Sequence, residues 1–207
     1  MGAGADARVA VLASGEGTNL QALLDDPVVG PWICVVVSDH RDARALERAR
    51  SAGVEAVFLD PGVSPDRDAY DRAIRAVLQE RKIGAVALAG FMRILGPELV
   101  RPYEGRILNI HPALLPAFPG AHAVENALAW GAKVTGVTVH LVDEEMDHGP
   151  IVLQEAVPVH DDDDRESLET RIHETEHRLY RWAVRALVEG RVEVEGRRVR
   201  IEEAEGD

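Results

Sequence analysis

RVAVLASGEGTNLQALL, residues 8–24, decides the fold. A short β-prone run, RVAVLA (8–13), stops at the glycine turn SGEG, and NLQALL after it has the composition of a helix start. The same order recurs: WICVVVS (32–38) precedes RDARALERARSAG, and EAVFLD (55–60) precedes PDRDAYDRAIRAVLQERK. Each helix-like piece has apolar residues at helical spacing on one side. GAVALAG (84–90) is uninterrupted and apolar, as suits a strand covered on both faces of a parallel sheet. RILNI (106–110) reads as the next strand, with a short helix near GPELVRPY before it. Strands alternating with helices predict an α/β fold with a doubly wound sheet and right-handed crossovers.

The second half departs from that rhythm. KVTGVTVHLV (133–142) and PIVLQEAVPV (150–159) are long β-type segments separated by the acidic turn DEEMDHG, which predicts antiparallel strands added to the parallel sheet and makes the sheet mixed. DDDDRESLETRIHETEHRLYRWAVRALVEG then forms a long amphipathic helix, its acidic start suiting the helix dipole and Gly190 ending it. RVEVEGRRVRI closes the pattern as a small hairpin, and the DDDD run is expected to be a solvated helix entry. The boundaries that follow are one domain over 8–190, with a hairpin and acidic tail over 191–207.

The 207 residues, 46% of them hydrophobic, suffice for one sizeable core. MGAGADA has no apolar stretch to act as a signal peptide, and no run approaches the roughly 20 apolar residues that span a bilayer, so a soluble, cytoplasmic protein without membrane partners is expected. The lone cysteine, Cys34, reads as a small hydrophobe in a strand. A net charge of −13 argues against a broad basic surface for nucleic acid, so any phosphate must be held locally by backbone N–H groups.

HETEH (173–177) satisfies H-E-x-x-H, which on a helix can place two histidines on zinc. With Ile172 at zero on the helical wheel, Glu176 falls at about 40°, inside the apolar stripe, while His173 and His177 lie near 100° and 140° and Glu174, the base a peptidase needs, at about 200°. No downstream histidine supplies a third ligand, so zinc is disfavoured and both histidines are expected on the polar flank of a surface helix. Glu176 is the odd member: a carboxylate in an apolar stripe is paired or faces a cleft, unless its stem packs and its head reaches water.

Three constellations carry chemistry. SGEGTN (14–19) lies between strand and helix, where glycines allow close approach and a helix start offers N–H donors beside a hydroxyl and an amide; this suits a monophosphate, though an ordinary capped turn would read the same. In LNIHP (108–112) alternation puts Asn109 and His111 on one face, and Pro112 keeps His111 extended. An amide and an imidazole together can donate to one oxyanion, as acyl transfer requires, and a polar strand end is the plain alternative. DEEMDHGP (143–150) is either a solvated turn or the source of a carboxylate that folds onto His111, raising its pKa and orienting it.

Taken together, SGEGTNLQ (14–21), AGFMRIL (89–95), LNIHPALLP (108–116) and DHGP (147–150) closely resemble the folate-dependent phosphoribosylglycinamide formyltransferases, in order over about residues 8 to 190. The resemblance implies the formyltransferase fold, with a Rossmann-like parallel half, and formyl transfer from 10-formyltetrahydrofolate to the amine of 5-phosphoribosylglycinamide in purine synthesis. It implies that His111 stabilises the intermediate and moves a proton, that Asn109 donates to the formyl oxygen, and that Asp147 holds His111. It assigns Gly17, Thr18 and Asn19 to the ribonucleotide phosphate and Glu176 to its glycinamide or ribose end. Met92, Arg93, Ile94 and Leu95 match the pterin-pocket segment, Arg67 a folate-side position, and no metal is implied. Thr18 stands where serine is commoner; His122 and His148 are left without a role. A homodimer is compatible with the family.

Two relatives within the superfamily compete. A formyltetrahydrofolate deformylase would share N-x-H and D-x-G-P but place a regulatory domain before the first strand, which here starts at residue 8. A methionyl-tRNA formyltransferase would add a C-terminal domain and a basic surface. A phosphate-binding module without catalysis would keep the glycine loop but would not need Asn109, His111 and Asp147.

Overall fold

In the computed structural model, residues 7–202 are described. The first half follows the predicted alternation: β1 (Val9–Leu12), α1 (Thr18–Leu24), β2 (Ile33–Ser38), α2 (Arg44–Ser51), β3 (Glu55–Phe58), α3 (Arg67–Glu80), β4 (Ala85–Leu88), α4 (Pro97–Val100) and β5 (Ile107–His111). A seven-residue helix, α5 (Ala123–Ala129), precedes β6 (Val134–Leu141) and β7 (Ile151–Pro158). The long helix α6 (Arg165–Val188) follows, and β8 (Val192–Glu195) with β9 (Arg198–Ile201) makes the small hairpin.

Seven strands form one mixed sheet in the order β3-β2-β1-β4-β5-β6-β7. The strands β1 to β5 pair in parallel, and β6 and β7 are antiparallel, as expected. Alternation along β1 feeds two cores. Val9 and Val11 pack with Leu20 and Leu23 of α1, Leu46 of α2 and Leu168 and Ile172 of α6. Ala10 and Leu12 pack with Tyr70, Ile74 and Leu78 of α3 and Leu99 of α4. The sheet is therefore covered on both faces, which is why its central strands read as unbroken apolar runs. The order in which strands are added to the sheet reverses between the parallel strands β1 and β4, and the gap outside their carboxyl ends is where such folds bind ligands.

Tyr180 fixes α6 over that gap. Its buried hydroxyl lies 2.8 Å from the Leu88 carbonyl, at the end of β4, and 3.1 Å from that of Leu108, near the start of β5, and its single proton serves one of them at a time. Glu176, one turn earlier, is thereby aimed at the cleft.

The DDDD run is a solvated helix entry, as expected: Asp161, Asp162 and Asp164 are exposed and Asp164 caps α6 in a capping box with Ser167, while Asp163 accepts from both Nη atoms of Arg171 at 2.8 and 2.9 Å. The helix α5 was not foreseen, because its N-cap, His122, makes no side-chain capping bond and the proline- and glycine-containing AFPGAH precedes it. The acidic tail lies outside the described residues. Among those described, no helix is long and apolar enough to cross a membrane.

Candidate active site

A cleft of about 630 Å³ opens at the carboxyl ends of β1, β4 and β5, lined by the glycine turn, residues 88–95, Asn109, His111, Asp147 and the cleft side of α6. All the sequence-predicted site residues border it except Arg67, which lies beside Gly96, its Nε 3.0 Å from where a side chain on that glycine would begin. His122 is exposed at the start of α5, outside the lining, with Nδ1 3.8 Å from Glu125.

The glycine turn is held by α2. The Ala45 N–H donates to the Gly15 carbonyl at 3.1 Å, and Arg48 Nε donates to that of Glu16 at 2.8 Å. Gly17 has φ +70°, and a Cβ there would stand 2.9 Å from Ala45, so glycine is required on two counts. Ser14 was not singled out by sequence. Its N–H donates to the Gly90 carbonyl at 3.1 Å and its Oγ accepts from the Met92 N–H at 2.9 Å, tying the two loops together across the gap.

Asn19, at the start of α1, donates from Nδ2 to Glu176 Oε2 at 2.9 Å, and its Oδ1 is buried without a hydrogen-bond partner among the described residues. Glu176 is 4% exposed. Burial pushes its pKa from 4.5 up to about 7; the Asn19 bond opposes this and the nearby Glu169 adds to it. The expectation that both histidines of HETEH turn outward is corrected for His173, which lines the cleft with Nε2 3.9 Å from Glu176 Oε2. The cleft side of α6 is wider than its apolar stripe and includes the flank at His173. His177 stacks on it, ring centroids 6.1 Å apart, and its half-buried ring is held below the usual histidine pKa first by desolvation. Glu174 is exposed, as expected. Among the described residues, no group of three or more metal-ligating side chains is suited to hold an ion.

The centre of the cleft is built by β5 against β6. Antiparallel pairing sets Asn109 opposite His140 and His111 opposite Thr138. His140, buried and unforeseen from sequence, has Nδ1 2.8 Å from the Leu141 carbonyl and Nε2 3.1 Å from Asn109 Nδ2. A proton on Nδ1 leaves Nε2 to accept from the amide, so His140 turns the Asn109 NH2 group towards the cleft. Asp147 arrives from the β6–β7 connection with φ +53°. Its Oδ2 accepts from the Gly120 N–H at 2.7 Å and lies 3.5 Å from His111 Nδ1; its Oδ1 lies 3.4 Å from Asn109 Nδ2.

Both nitrogens of His111 face acceptors, since Nε2 is 2.8 Å from the Phe118 carbonyl. Acceptors on both sides favour the imidazolium, yet the ring is only 4% exposed. Desolvation is the larger effect and holds the pKa below the ordinary value, against the upward pull of Asp147 and Phe118. The expected rise is therefore corrected: sequence displayed the charge partner but not the burial. Asp147 is itself desolvated, which raises its pKa, but the His140 side chain, the Gly120 N–H and His111 together bring it below the usual carboxylate range.

A family described as "Formyl transferase" matches residues 7–184. A phosphoribosylglycinamide formyltransferase of Mycobacterium tuberculosis (strain ATCC 25618 / H37Rv) is 50% identical over 204 residues, 95% of this chain and 95% of that protein. One of Bacillus subtilis (strain 168) is 39% identical over 87% of this chain and 94% of that protein. The crystal structure of glycinamide ribonucleotide transformylase 1 from Symbiobacterium toebii superposes with a TM-score of 0.92 at 50% identity, over 95% of this chain and 94% of that one. The chain belongs to the formyl transferase family, among its phosphoribosylglycinamide formyltransferases.

Proposed function

We propose that the cleft transfers a formyl group from 10-formyltetrahydrofolate to the amine of 5-phosphoribosylglycinamide, as a soluble cytoplasmic step of purine synthesis, with residues 8–190 as the catalytic domain. The observation that carries this reading is the convergence of Asn109, His111 and Asp147 on one point between two differently lined lobes. One lobe, at Gly17, Thr18, Asn19 and Glu176, is polar and suits the phosphate and glycinamide of the acceptor. The other is bordered by Met92, Ile94 and Met146, large apolar side chains left at least half exposed, which suit a flat ring system; Arg93 and Leu95 complete that lobe.

The folate co-substrate, when bound, supplies the electrophilic formyl carbon. Asn109 donates to the formyl oxygen as negative charge gathers there, joined by His111 once its second nitrogen carries a proton. His111, neutral at rest because of its burial, takes a proton as the amine attacks and returns one to the departing nitrogen, while the ionised Asp147 stabilises the imidazolium in between. Arg67, beside Gly96 and outside the cleft lining, is assigned to the folate side by the resemblance alone. No metal takes part. A homodimer remains a compatible assembly.

Hydrolysis of the formyl donor by water is the rival. The relatives matched along nearly the full chain carry transferase names, which does not favour it. The deciding assay follows formyl transfer to phosphoribosylglycinamide; formate release independent of the nucleotide would overturn the transferase reading.

A further inference from the structure

The turn that carries Asp147 is held from outside the cleft by a group that the proposed chemistry does not use. Asp147 has φ +53°, a left-handed conformation that an L-residue keeps only where its surroundings impose it. On the inner side the constraint is plain: a Cβ on Gly149 would overlap the Leu141 carbonyl, and the Leu141 N–H donates to the Pro150 carbonyl at 2.9 Å. On the outer side stands Arg197, at the tip of the β8–β9 hairpin. Its Nη2 donates to the His148 carbonyl at 2.6 Å, and its Nη1 lies 3.2 Å from His148 Nε2. His148 Nδ1 lies 2.7 Å from Asp143 Oδ2. One tautomer satisfies the whole chain, with Nδ1–H donating to Asp143 and Nε2 accepting from the guanidinium. Arg197, His148 and Asp143 thus span the turn from its first residue to the peptide that follows His148, one residue beyond Asp147.

The hairpin has a firm root. Val199 and Ile201 pack against the main core, and Arg191, at its base, donates to the Glu202 carbonyl at 3.1 Å and lies 5.3 Å from the Trp182 ring centroid. We propose that Arg197 is a positioning residue for formyl transfer, clamping the His148 peptide so that the Asp147 carboxylate stays on Gly120, Asn109 and His111. This rests on the role proposed for Asp147. Arg197 and His148 are exposed, so their contact contributes little to global stability. Its effect is local: Asp147 Oδ2 is already 3.5 Å from His111 Nδ1, and releasing the His148–Gly149 peptide lets the residue before it shift and widen that gap, where a displacement of about 1 Å can cost on the order of 100-fold in rate.

The test is steady-state formyl transfer by Arg197→Met, which keeps the stem and removes the donors. The expected result is a kcat lower by about tenfold with KM for phosphoribosylglycinamide little changed, since the acceptor lobe lies on other elements. The limb of the kcat profile governed by His111 should move to lower pH, because the imidazole loses the upward pull of Asp147. Arg197→Lys, which can still donate to the carbonyl, should recover part of the rate. Arg200→Met, the same charge change on the same hairpin away from the turn, should behave as the parent enzyme. Parent-level kcat and pH profile in Arg197→Met, with Asp147→Asn inactive, overturns the clamp alone. Equal losses in Arg197→Met and Arg200→Met overturn it in favour of a general role for the hairpin. Parent-level turnover in Asp147→Asn overturns the underlying assignment.

Discussion

Replacing Glu176 by glutamine should make the protein more stable at alkaline pH while impairing its use of the acceptor. The carboxyl is buried, accepts 2.9 Å from Asn19 Nδ2, and has its pKa at about 7 rather than 4.5. A group whose pKa is raised on folding contributes stability that is fully present below the unfolded value, here 4.5, and is lost as pH rises towards the folded value near 7. With about 1.4 kcal/mol for each tenfold change in proton affinity, the full loss is about 3 kcal/mol, of which about 2 kcal/mol or slightly more falls between pH 5 and pH 8. Glutamine keeps an oxygen for the Asn19 donor and never ionises. The melting temperature of Glu176→Gln should therefore stand close to that of the parent at pH 5 and pull ahead of it by about 4 to 8 °C at pH 8, for a chain of this size. At pH 8 the same variant should show a raised KM for phosphoribosylglycinamide, because a neutral amide cannot pair with the glycinamide end. Thermal melts in matched buffers from pH 5 to 8 measure the first effect. A gap that stays constant across that range, or a variant less stable than the parent at pH 8, would refute the reasoning that Glu176 is ionised at a cost in the folded protein.

His111→Ala and Asp147→Asn should each lower kcat by about 100-fold or more with the melting temperature nearly unchanged, as single acid–base or oxyanion groups do; near-parental rates in either would remove its assigned role. Gly149→Ala should cost stability at the upper end of the roughly 1–3 kcal/mol seen for overpacking, about 6 °C in melting temperature, since the new methyl meets a backbone carbonyl in the sheet; a melt identical to the parent's would show that the segment gives way. Prolonged dialysis against a chelator should leave formyl transfer unchanged, whereas loss restored by zinc would reopen the reading of HETEH as a metal motif.

The parallel half was legible because its central strands are buried on both faces and its helices carry an apolar stripe, and both patterns survive in one sequence. Asn109 and His111 were legible for a related reason: period-two alternation ahead of a proline puts them on one face whatever lies beside them. His140 was not. Within VTVHLV it is an ordinary polar member of an alternating strand, and only the pairing register of β5 with β6 sets it opposite Asn109. The faint signal available was a histidine at the polar phase of a strand expected to neighbour LNIHP. The Phe118 carbonyl that accepts from His111 and the Gly120 N–H that donates to Asp147 belong to an irregular loop, where Phe118 has φ +52°, and neither propensity nor spacing encodes such backbone contacts. The direction of the His111 pKa was misread because a nearby carboxylate can be inferred from a motif, but the removal of water by three surrounding segments cannot.

Two carboxylates in one cleft are tuned in opposite directions, and that difference assigns their work. Asp147 is surrounded by groups that favour its anion, so it stays ionised and can serve as a permanent partner to an imidazolium. Glu176 has one amide donor and a second carboxylate, Glu169, close enough to disfavour its charge, so burial prevails and its proton comes and goes near neutrality. Environments that push like groups apart in this way mark separate roles in acid–base sites. Here the permanent anion sits at the reacting centre, and the group that titrates sits where the acceptor's glycinamide end would lie. An ammonium arriving at Glu176 would draw the carboxyl into its ionised form, and by linkage the ionised carboxylate binds that ammonium more tightly. The apparent affinity for phosphoribosylglycinamide should accordingly strengthen as pH rises through about 7, for as long as the amine itself keeps its proton.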